Sequence, residues 1–262
     1  MLGGSIILRI FSILNFKGGT GKSSLAENLS SALAQMGKRL LVIDCDRQAN
    51  SSTTLLAGQS DGPTLTNFLK GEAQFSEVVY PTRFENVFVV PSDGNLDTAA
   101  PYILAHRSAY YALRKALATR QEEYGLLDHA GAYTPVMEAG LLASNDMLIP
   151  CELEAYAVQG LFAMFEKLRD TLDDHELRNG GIIPYNVDLR YSMARGYLRE
   201  LRETFGDLIT APVRTDASVP KAQSLQLTVF EYEREYGVKS RAAADFRTLA
   251  EDLVEEEAAV QR

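Results

Sequence analysis

The sequence predicts an α/β fold in which a doubly wound, mostly parallel sheet is flanked by helices. Short apolar runs alternate along the chain with longer amphipathic ones, which is the pattern of parallel strands joined by helical crossovers. The chain has 262 residues, of which 46% are hydrophobic, so it can bury one large core. No Pro/Ser/Gly-rich linker and no internal repeat interrupts it, and we therefore expect residues 1–262 to form a single domain.

The predicted elements follow one another in this order. Ile6–Leu14 is an apolar run that predicts the first strand, and Ser24–Met36 has apolar residues at helical spacing and ends at Gly37, a typical helix C-cap. The other predicted strands are Leu40–Ile43, Asn86–Val90, Tyr124–Leu127, Asp146–Pro150, Gly181–Pro184 and Leu208–Ala211. The other predicted helices are Ser108–Glu123, Ala157–Leu172, Met193–Phe205 and Ala242–Glu257. Ligands of such sheets bind beyond the carboxyl ends of the strands, so we expect the chemistry in the segments that follow them.

Charge and composition narrow the class of protein. The net charge is −9, so the field of the whole molecule does not steer it towards nucleic acid. Residues 51–184 carry twice as many acidic as basic side chains, whereas residues 185–241 are nearly balanced, and a basic face is expected only there. No apolar run approaches the length of a membrane span, and the apolar N-terminus lacks the features of a signal peptide. Cys45 and Cys151 lie in apolar runs and suggest buried free thiols in a reducing cytosol.

A glycine-rich loop stands between the first predicted strand and the first predicted helix. Its sequence is Lys17-Gly18-Gly19-Thr20-Gly21-Lys22-Ser23. The three glycines let successive backbone N–H groups approach phosphates closely, and the helix N-terminus adds a positive dipole end. Lys22 would reach the β- and γ-phosphates of a nucleotide, and the Ser23 hydroxyl would ligate Mg²⁺. The strict pattern G-x-x-x-x-G-K-[ST] requires glycine at Phe16, so this loop is a variant of the phosphate loop.

The loop resembles the deviant Walker A motif of the ParA/MinD ATPases, which begins with an additional lysine. In that family the first lysine reaches across a dimer interface to the nucleotide of the partner subunit. The resemblance implies this role for Lys17, which would act much as an arginine finger does. It also implies ATP and Mg²⁺ as cofactors, with Lys17, Lys22 and a water-positioning aspartate as the catalytic residues.

Two aspartates after the second strand resemble the second motif of the family. Strand alternation sends Asp44 and Asp46 in the same direction and Cys45 into the core. Two carboxylates this close repel each other unless a cation lies between them. The resemblance implies that Asp44 serves the Mg²⁺ shell and that Asp46 orients the attacking water. Arg47 stands where the family usually has proline, which fixes the backbone, so we expect a looser position for Asp46.

The segment Tyr124–Gly131 resembles the Walker B strand and the switch segment that follows it. The resemblance implies that Asp128, together with Ser23 and Asp44, serves the metal site. Gly131 stands where the family usually has proline, which predicts a more flexible switch. His129 either senses the γ-phosphate or is only a polar residue at a strand end, and the sequence leaves both interpretations open.

The resemblance continues more weakly into the C-terminal half. Asp188-Leu189-Arg190 resembles the aspartate-x-arginine turn of the family, and Pro212 lies where family members close over the adenine. The nucleotide-binding residues implied in this way are Lys17, Gly18, Gly19, Thr20, Gly21, Lys22, Ser23, Ser24, Asp188 and Pro212.

Four arginines are candidates for contact with DNA. Arg195, Arg199 and Arg202 recur at i, i+4 and i+7 and share one helix face. ParA proteins bind DNA without sequence preference through basic residues of this region, so the resemblance implies DNA-phosphate contacts for these three and Arg190. The alternative is a solvated helix with local pairs such as Arg199–Glu203.

These observations predict a ParA-like ATPase that dimerises and binds DNA nonspecifically when it holds ATP. A ParB-like or cargo-adaptor protein would stimulate hydrolysis, and the ATPase would act in the cytoplasm on the nucleoid. It would partition a plasmid or chromosome or position a protein cargo such as a carboxysome. One alternative is a MinD-like membrane-site organiser, but the acidic segment Glu251–Glu257 does not suit an anionic membrane. A metabolic ATP-dependent ligase on the same scaffold usually lacks the first lysine of the loop, which Lys17 provides.

Overall fold

Eight strands form one sheet in the computed structural model, which describes residues 8–58, 61–175 and 177–260. The strands are β1 (Arg9–Ile13), β2 (Leu40–Cys45), β3 (Tyr80–Pro81), β4 (Val87–Val90), β5 (Tyr124–His129), β6 (Asp146–Glu152), β7 (Arg178–Val187) and β8 (Val213–Arg214). Their order across the sheet is β3-β4-β2-β5-β1-β6-β7-β8, and every pair except β3–β4 is parallel. The predicted doubly wound, mostly parallel sheet is confirmed.

Helices cover both faces of the sheet. In the described ranges they are α1 (Lys22–Gln35), α2 (Asn50–Leu56), α3 (Leu65–Leu69), α4 (Ala99–Ala105), α5 (Arg107–Tyr110), α6 (Ala112–Leu117), α7 (Pro135–Leu141), α8 (Ala157–Asp174), α9 (Ser192–Phe205), α10 (Ser218–Ser224), α11 (Val229–Tyr236) and α12 (Arg241–Val260). Side chains of β2 alternate between the two faces: Leu40 and Val42 pack with α1 and α12, whereas Leu41 and Ile43 pack beneath α3 to α7. A third cluster lies between β6, α8 and α9.

The structure corrects two of the predicted elements. The predicted helix Ser108–Glu123 is two short helices, α5 and α6, which are interrupted at Tyr111. The second helix ends at Leu117, and the Glu123 N–H instead donates to the Arg39 carbonyl at 2.9 Å. The predicted strand Leu208–Ala211 is reduced to one parallel bridge, between Ile209 and Ile182 of β7, because residues 206–208 form a 3₁₀ turn, and the last strand is β8. A short apolar run has too few residues for its period to distinguish strand from turn.

Strand register brings the predicted site residues to one edge of the sheet. β5 lies between β1 and β2, and Asp128 pairs in register with Asp44 on one side and with Ile13 on the other. Loop 14–21 follows β1 directly and leads into α1, so it lies above these two aspartates. Ile6, in the first predicted strand, lies outside the described residues. No helix in the described ranges is long and apolar enough to cross a membrane.

Candidate nucleotide and magnesium site

The glycine-rich loop curls around the start of α1. Gly19 and Gly21 have φ angles of 77° and 88°, a left-handed conformation that glycine adopts without strain. The Lys22 ammonium donates to the Lys17 carbonyl at 3.3 Å, so it lies across the opening of the loop. Burial lowers the pKa of Lys22, and the charges of Asp128 and Asp46 oppose that effect. A buried cation facing carboxylates in this way is placed to meet phosphate oxygens.

Gly21 is required by a contact that the sequence does not reveal. A Cβ at this position would lie 2.3 Å from the Tyr185 ring, which packs against the loop from the end of β7. The Tyr185 hydroxyl donates to Ser24 Oγ at 2.7 Å and so joins the loop to the sheet. Burial raises the pKa of Tyr185, and the hydroxyl therefore stays protonated as a donor.

Gly21→Ala is expected to destabilise the protein, because the new Cβ meets a buried ring and the backbone φ is unfavourable for alanine. We expect the free energy of unfolding to fall by about 1–3 kcal/mol, measured by urea denaturation. Gly18→Ala is the matched control, since a Cβ there meets nothing within 4 Å and φ is not positive. Equal stability of the two variants would contradict this account of the loop.

Asp44 and Asp128 form a pair of fully buried carboxylates beneath the loop. Asp44 Oδ2 accepts from the Ser52 N–H at 2.8 Å and the Ser52 hydroxyl at 2.7 Å, and Asp44 Oδ1 accepts from the Asp46 N–H at 3.1 Å. Asp128 Oδ2 accepts from the Ser51 hydroxyl at 2.7 Å. Asp128 Oδ1, by contrast, is buried and has no hydrogen-bond partner in the described part of the chain.

These two carboxylates fit a divalent cation. Burial raises the pKa of Asp44 to about 7, with the Asp128 charge as the next cause. Burial likewise raises the pKa of Asp128 to about 6, although Ser51 and Ser23 hydroxyls oppose the shift. A cation beside the unpartnered oxygen would offset both effects. Mg²⁺ is an ion that usually takes one or two carboxylates together with substrate phosphates, and Asp44 and Asp128 offer two.

Asp46 lies at the wall of the same cavity and is held more firmly than its sequence context predicts. Its Oδ1 accepts from the Gln48 N–H at 2.9 Å, which closes a turn directly after β2. Arg47 points away and pairs with Asp97 at 3.0 Å, in a contact exposed on both sides. The turn therefore has its own hydrogen bond in place of the expected proline.

A cavity of about 810 Å³ extends from the loop to the end of the sheet. Its walls include Gly18, Gly19, Thr20, Gly21, Lys22, Ser23, Ser24, Glu27, Asp46 and Gly131 at the phosphate end, and Tyr185, Asn186, Val213, Arg214, Asp216, Val219, Pro220, Gln223 and Gln226 at the far end. Asp188 and Pro212, which we expected near the base, are not among the lining residues. The register between β7 and β8 shifts between Tyr185 and Val187, and it is Asn186 and Val213, close neighbours of the expected pair, that line the cavity.

Glu27 is a second site residue that the sequence interpretation missed. It lies on α1 four positions after Ser23, so a charged residue at helical spacing from the loop was the available signal. Burial raises its pKa well above the usual value, and the Asp128 charge adds to the shift.

Lys17 differs from the rest of the loop because it is not part of the cavity wall. Its ammonium lies 3.0 Å from Glu152 Oε2 and 2.8 Å from Glu154 Oε2, after β6, and these contacts raise the pKa of Lys17. The side chain is 45% exposed. It is thus on the surface beside the cavity, where it pairs with Glu152, a residue of the cavity wall.

The four candidate DNA-contact arginines divide into two pairs. Arg195 donates a hydrogen bond to the Leu189 carbonyl at 2.7 Å. Arg190 forms a bidentate ion pair with the Asp188 carboxylate, with N–O distances of 2.9 and 2.5 Å. Both arginines therefore have partners close by in the sequence. Arg199 and Arg202 are exposed on α9, and within the described ranges neither forms an ion pair, including the alternative pair Arg199–Glu203.

His129 is fully buried and faces away from the loop. Its Nε2 is 2.8 Å from Ser12 Oγ, and its ring packs against Gly140, where a Cβ would lie 2.4 Å from Cε1. Burial lowers the pKa of His129 to about 3. The geometry favours a buried polar residue at a strand end over a sensor of the γ-phosphate.

Comparisons with known proteins agree with this architecture. A family model described as an AAA domain matches residues 8–178. The chromosome partitioning protein ParA of Caulobacter vibrioides is 29% identical over 259 residues, which covers 95% of each chain. Apo McdA from Cyanthece superposes with a TM-score of 0.76 at 24% identity, over 86% of this chain and 93% of that one. Cobyrinic acid a,c-diamide synthase from Mycobacterium smegmatis, solved with an ATP analog and magnesium, gives 0.80 at 22% identity over 96% of each chain. From the matched family model, the full-length relatives and the loop geometry, the chain belongs to the ParA/MinD family of P-loop ATPases.

Proposed function

We propose that the protein is a ParA-like ATPase that binds ATP with Mg²⁺ and hydrolyses it slowly. The observation that carries this proposal is that Lys22 and Ser23 line one end of a cavity large enough for a nucleotide, directly beside the buried carboxylates of Asp128 and Asp44. The Caulobacter relative is named for chromosome partitioning, and the synthase was solved with an ATP analog and magnesium, which supports both the role and the ligand.

Each residue at the phosphate end has a separate part in this scheme. Gly18 to Gly21 present backbone N–H groups, and Lys22 offers a cation to the β- and γ-phosphates. Ser23, Asp44 and Asp128 would hold Mg²⁺, which when bound offsets the negative charge that develops on the phosphates. Asp46 lines the cavity and would orient the attacking water. At the far end, Tyr185, Asn186 and Val213 line the space left for the base.

Dimerisation and DNA binding form the second part of the proposal. Lys17 lies outside its own cavity and on the surface, as a residue that completes a partner's site must. Arg199 and Arg202 offer each subunit a small exposed basic patch, and two patches side by side would roughly double the phosphate contacts. The ATP-bound dimer would then bind DNA nonspecifically on the nucleoid in the cytoplasm. A ParB-like or cargo-adaptor protein would stimulate hydrolysis and so move a plasmid, a chromosome or a protein cargo such as a carboxysome.

Asp46→Ala is expected to keep ATP binding and to lower the rate of hydrolysis by about 10²-fold or more, because the attacking water loses its positioning carboxylate. Phosphate release gives the rate, and calorimetry with a non-hydrolysable analogue gives the affinity. Asp97→Ala is the control, since Asp97 pairs with the adjacent Arg47 and does not line the cavity. Hydrolysis at the parent rate by the Asp46 variant would remove this residue from the mechanism.

A further inference from the structure

Glu27 is a buried carboxylate that the proposed hydrolysis scheme leaves without a role. The residue is 2% exposed and lines the cavity one turn of α1 below Ser23. One of its oxygens, Oε2, is buried and has no hydrogen-bond partner in the described part of the chain. A buried acceptor with no donor costs free energy, so an unmatched oxygen at a cavity wall indicates a missing ligand.

The groups around Glu27 do not supply the missing donor or a compensating charge. The Thr54 side chain hydrogen-bonds with the Glu27 carboxyl, Asp128 and Asp44 are its acidic neighbours, and Oε2 itself has no partner in the described part of the chain. The guanidinium of Arg83 is occupied by Glu231, which accepts from Nε at 2.7 Å and from Nη2 at 2.8 Å. Lys22 lies across the loop, where it faces Asp128 and Asp46.

A second unpartnered buried carboxylate oxygen, Asp128 Oδ1, lies close enough to Glu27 for the two charges to interact, although Asp128 does not itself line the cavity. Glu27 lies one helical turn, about 5.4 Å, along α1 from Ser23, the residue whose hydroxyl would ligate the metal. Mg²⁺ dehydrates reluctantly and usually keeps several waters, whose protons need acceptors.

We propose that Glu27 is a positioning residue of the magnesium site, with Oε2 accepting a hydrogen bond from a water of the Mg²⁺ shell. This inference rests on the proposed binding of Mg²⁺ and nucleotide at the same cavity. It adds an outer carboxylate to Ser23, Asp44 and Asp128, and it gives the unmatched oxygen a donor only when the nucleotide and metal are present.

The test measures metal affinity and not activity. ADP binding to the whole protein is followed by calorimetry at a series of Mg²⁺ concentrations, for the parent and for Glu27→Gln. We expect the Mg²⁺ concentration at half-saturation to rise at least about tenfold, because loss of a group that orients metal ligands typically costs 10–100-fold in affinity. ADP affinity in EDTA should stay the same. Glu122→Gln is the matched control, since Glu122 is a buried carboxylate that pairs with Arg120, is absent from the cavity wall and should leave the Mg²⁺ dependence unchanged.

Thermal denaturation separates this role from a merely structural one. Glu27→Gln and Glu27→Leu should raise the melting temperature of the ligand-free protein, because both remove an unmatched buried carboxylate. Added Mg²⁺ and ADP should raise the melting temperature of these variants by less than they raise that of the parent protein. Unchanged Mg²⁺ half-saturation in Glu27→Gln, or a lower ligand-free melting temperature, would overturn the inference. A parent protein that binds no nucleotide with Mg²⁺ would instead overturn the proposed function itself.

Discussion

Lys22→Ala is expected to abolish nucleotide binding, with a loss of affinity of at least about hundredfold. Truncating one partner of a buried, hydrogen-bonded charge pair costs about 2–5 kcal/mol. No other cation in the described cavity wall can replace it, because Arg214 is the remaining one and it is held by Asp245, with Nη2 and Oδ1 2.6 Å apart. Calorimetry with ADP and with a non-hydrolysable ATP analogue measures the loss.

Lys38→Ala provides the control for the Lys22 experiment. Lys38 is also partly buried and paired, with Glu123 Oε1 at 2.8 Å, but it follows the C-terminal end of α1, away from the loop. We expect this variant to bind nucleotide as the parent does. An unchanged nucleotide affinity in Lys22→Ala would contradict nucleotide binding in this cavity. It would also contradict the proposed roles of Ser23, Asp44 and Asp128.

Lys17→Ala is expected to lose the ATP-dependent dimer and DNA binding together while it retains ATP binding. Lys17 does not line its own cavity, so its removal leaves the phosphate contacts within the subunit in place. Its pairs with Glu152 and Glu154 are exposed, and breaking such pairs costs about 0–1 kcal/mol, so the side chain can leave them for a γ-phosphate of the partner subunit. Because ADP has no γ-phosphate, the dimer should form with ATP and not with ADP.

Sedimentation and a DNA mobility shift, each with ATP and with ADP, measure the two losses. We expect the dimer dissociation constant of Lys17→Ala with ATP to rise at least about tenfold, the effect of removing one partner of an interfacial charge pair. Arg199→Glu is the matched variant: it should keep the ATP dimer and lose DNA binding, since Arg199 is exposed on α9 and distant in sequence from the loop. A Lys17→Ala protein that dimerises with ATP like the parent would exclude the cross-subunit role. If the ATP-bound parent protein does not bind DNA at low salt, α9 is excluded as a DNA-binding surface.

The elements whose conformation depends on neighbouring residues, namely the glycine-rich loop and the central strands, were predicted correctly. The loop follows a strand and opens a helix, and its glycines adopt the positive φ angles that phosphate cradles use, so residues 17–23 could be placed from their own sequence. Asp44 and Asp128 could also be placed, because each ends an apolar run that becomes a central parallel strand. By contrast, the strand Asn86–Val90 was predicted, but the short helices between 50 and 118 lacked a clear period and the sequence did not distinguish them.

The amino-acid sequence by itself thus determined six of the eight strands of the described sheet, the glycine-rich loop and the two carboxylates beneath it, because strand alternation, helix spacing and glycine conformation are properties of neighbouring residues. Only the tertiary structure decided what those residues touch. It placed Tyr185 against Gly21, set Glu152 and Glu154 beside Lys17, and left one oxygen of Glu27 without a donor. These contacts join residues more than a hundred positions apart or depend on how completely a side chain is enclosed, and no local pattern in the sequence encodes either property.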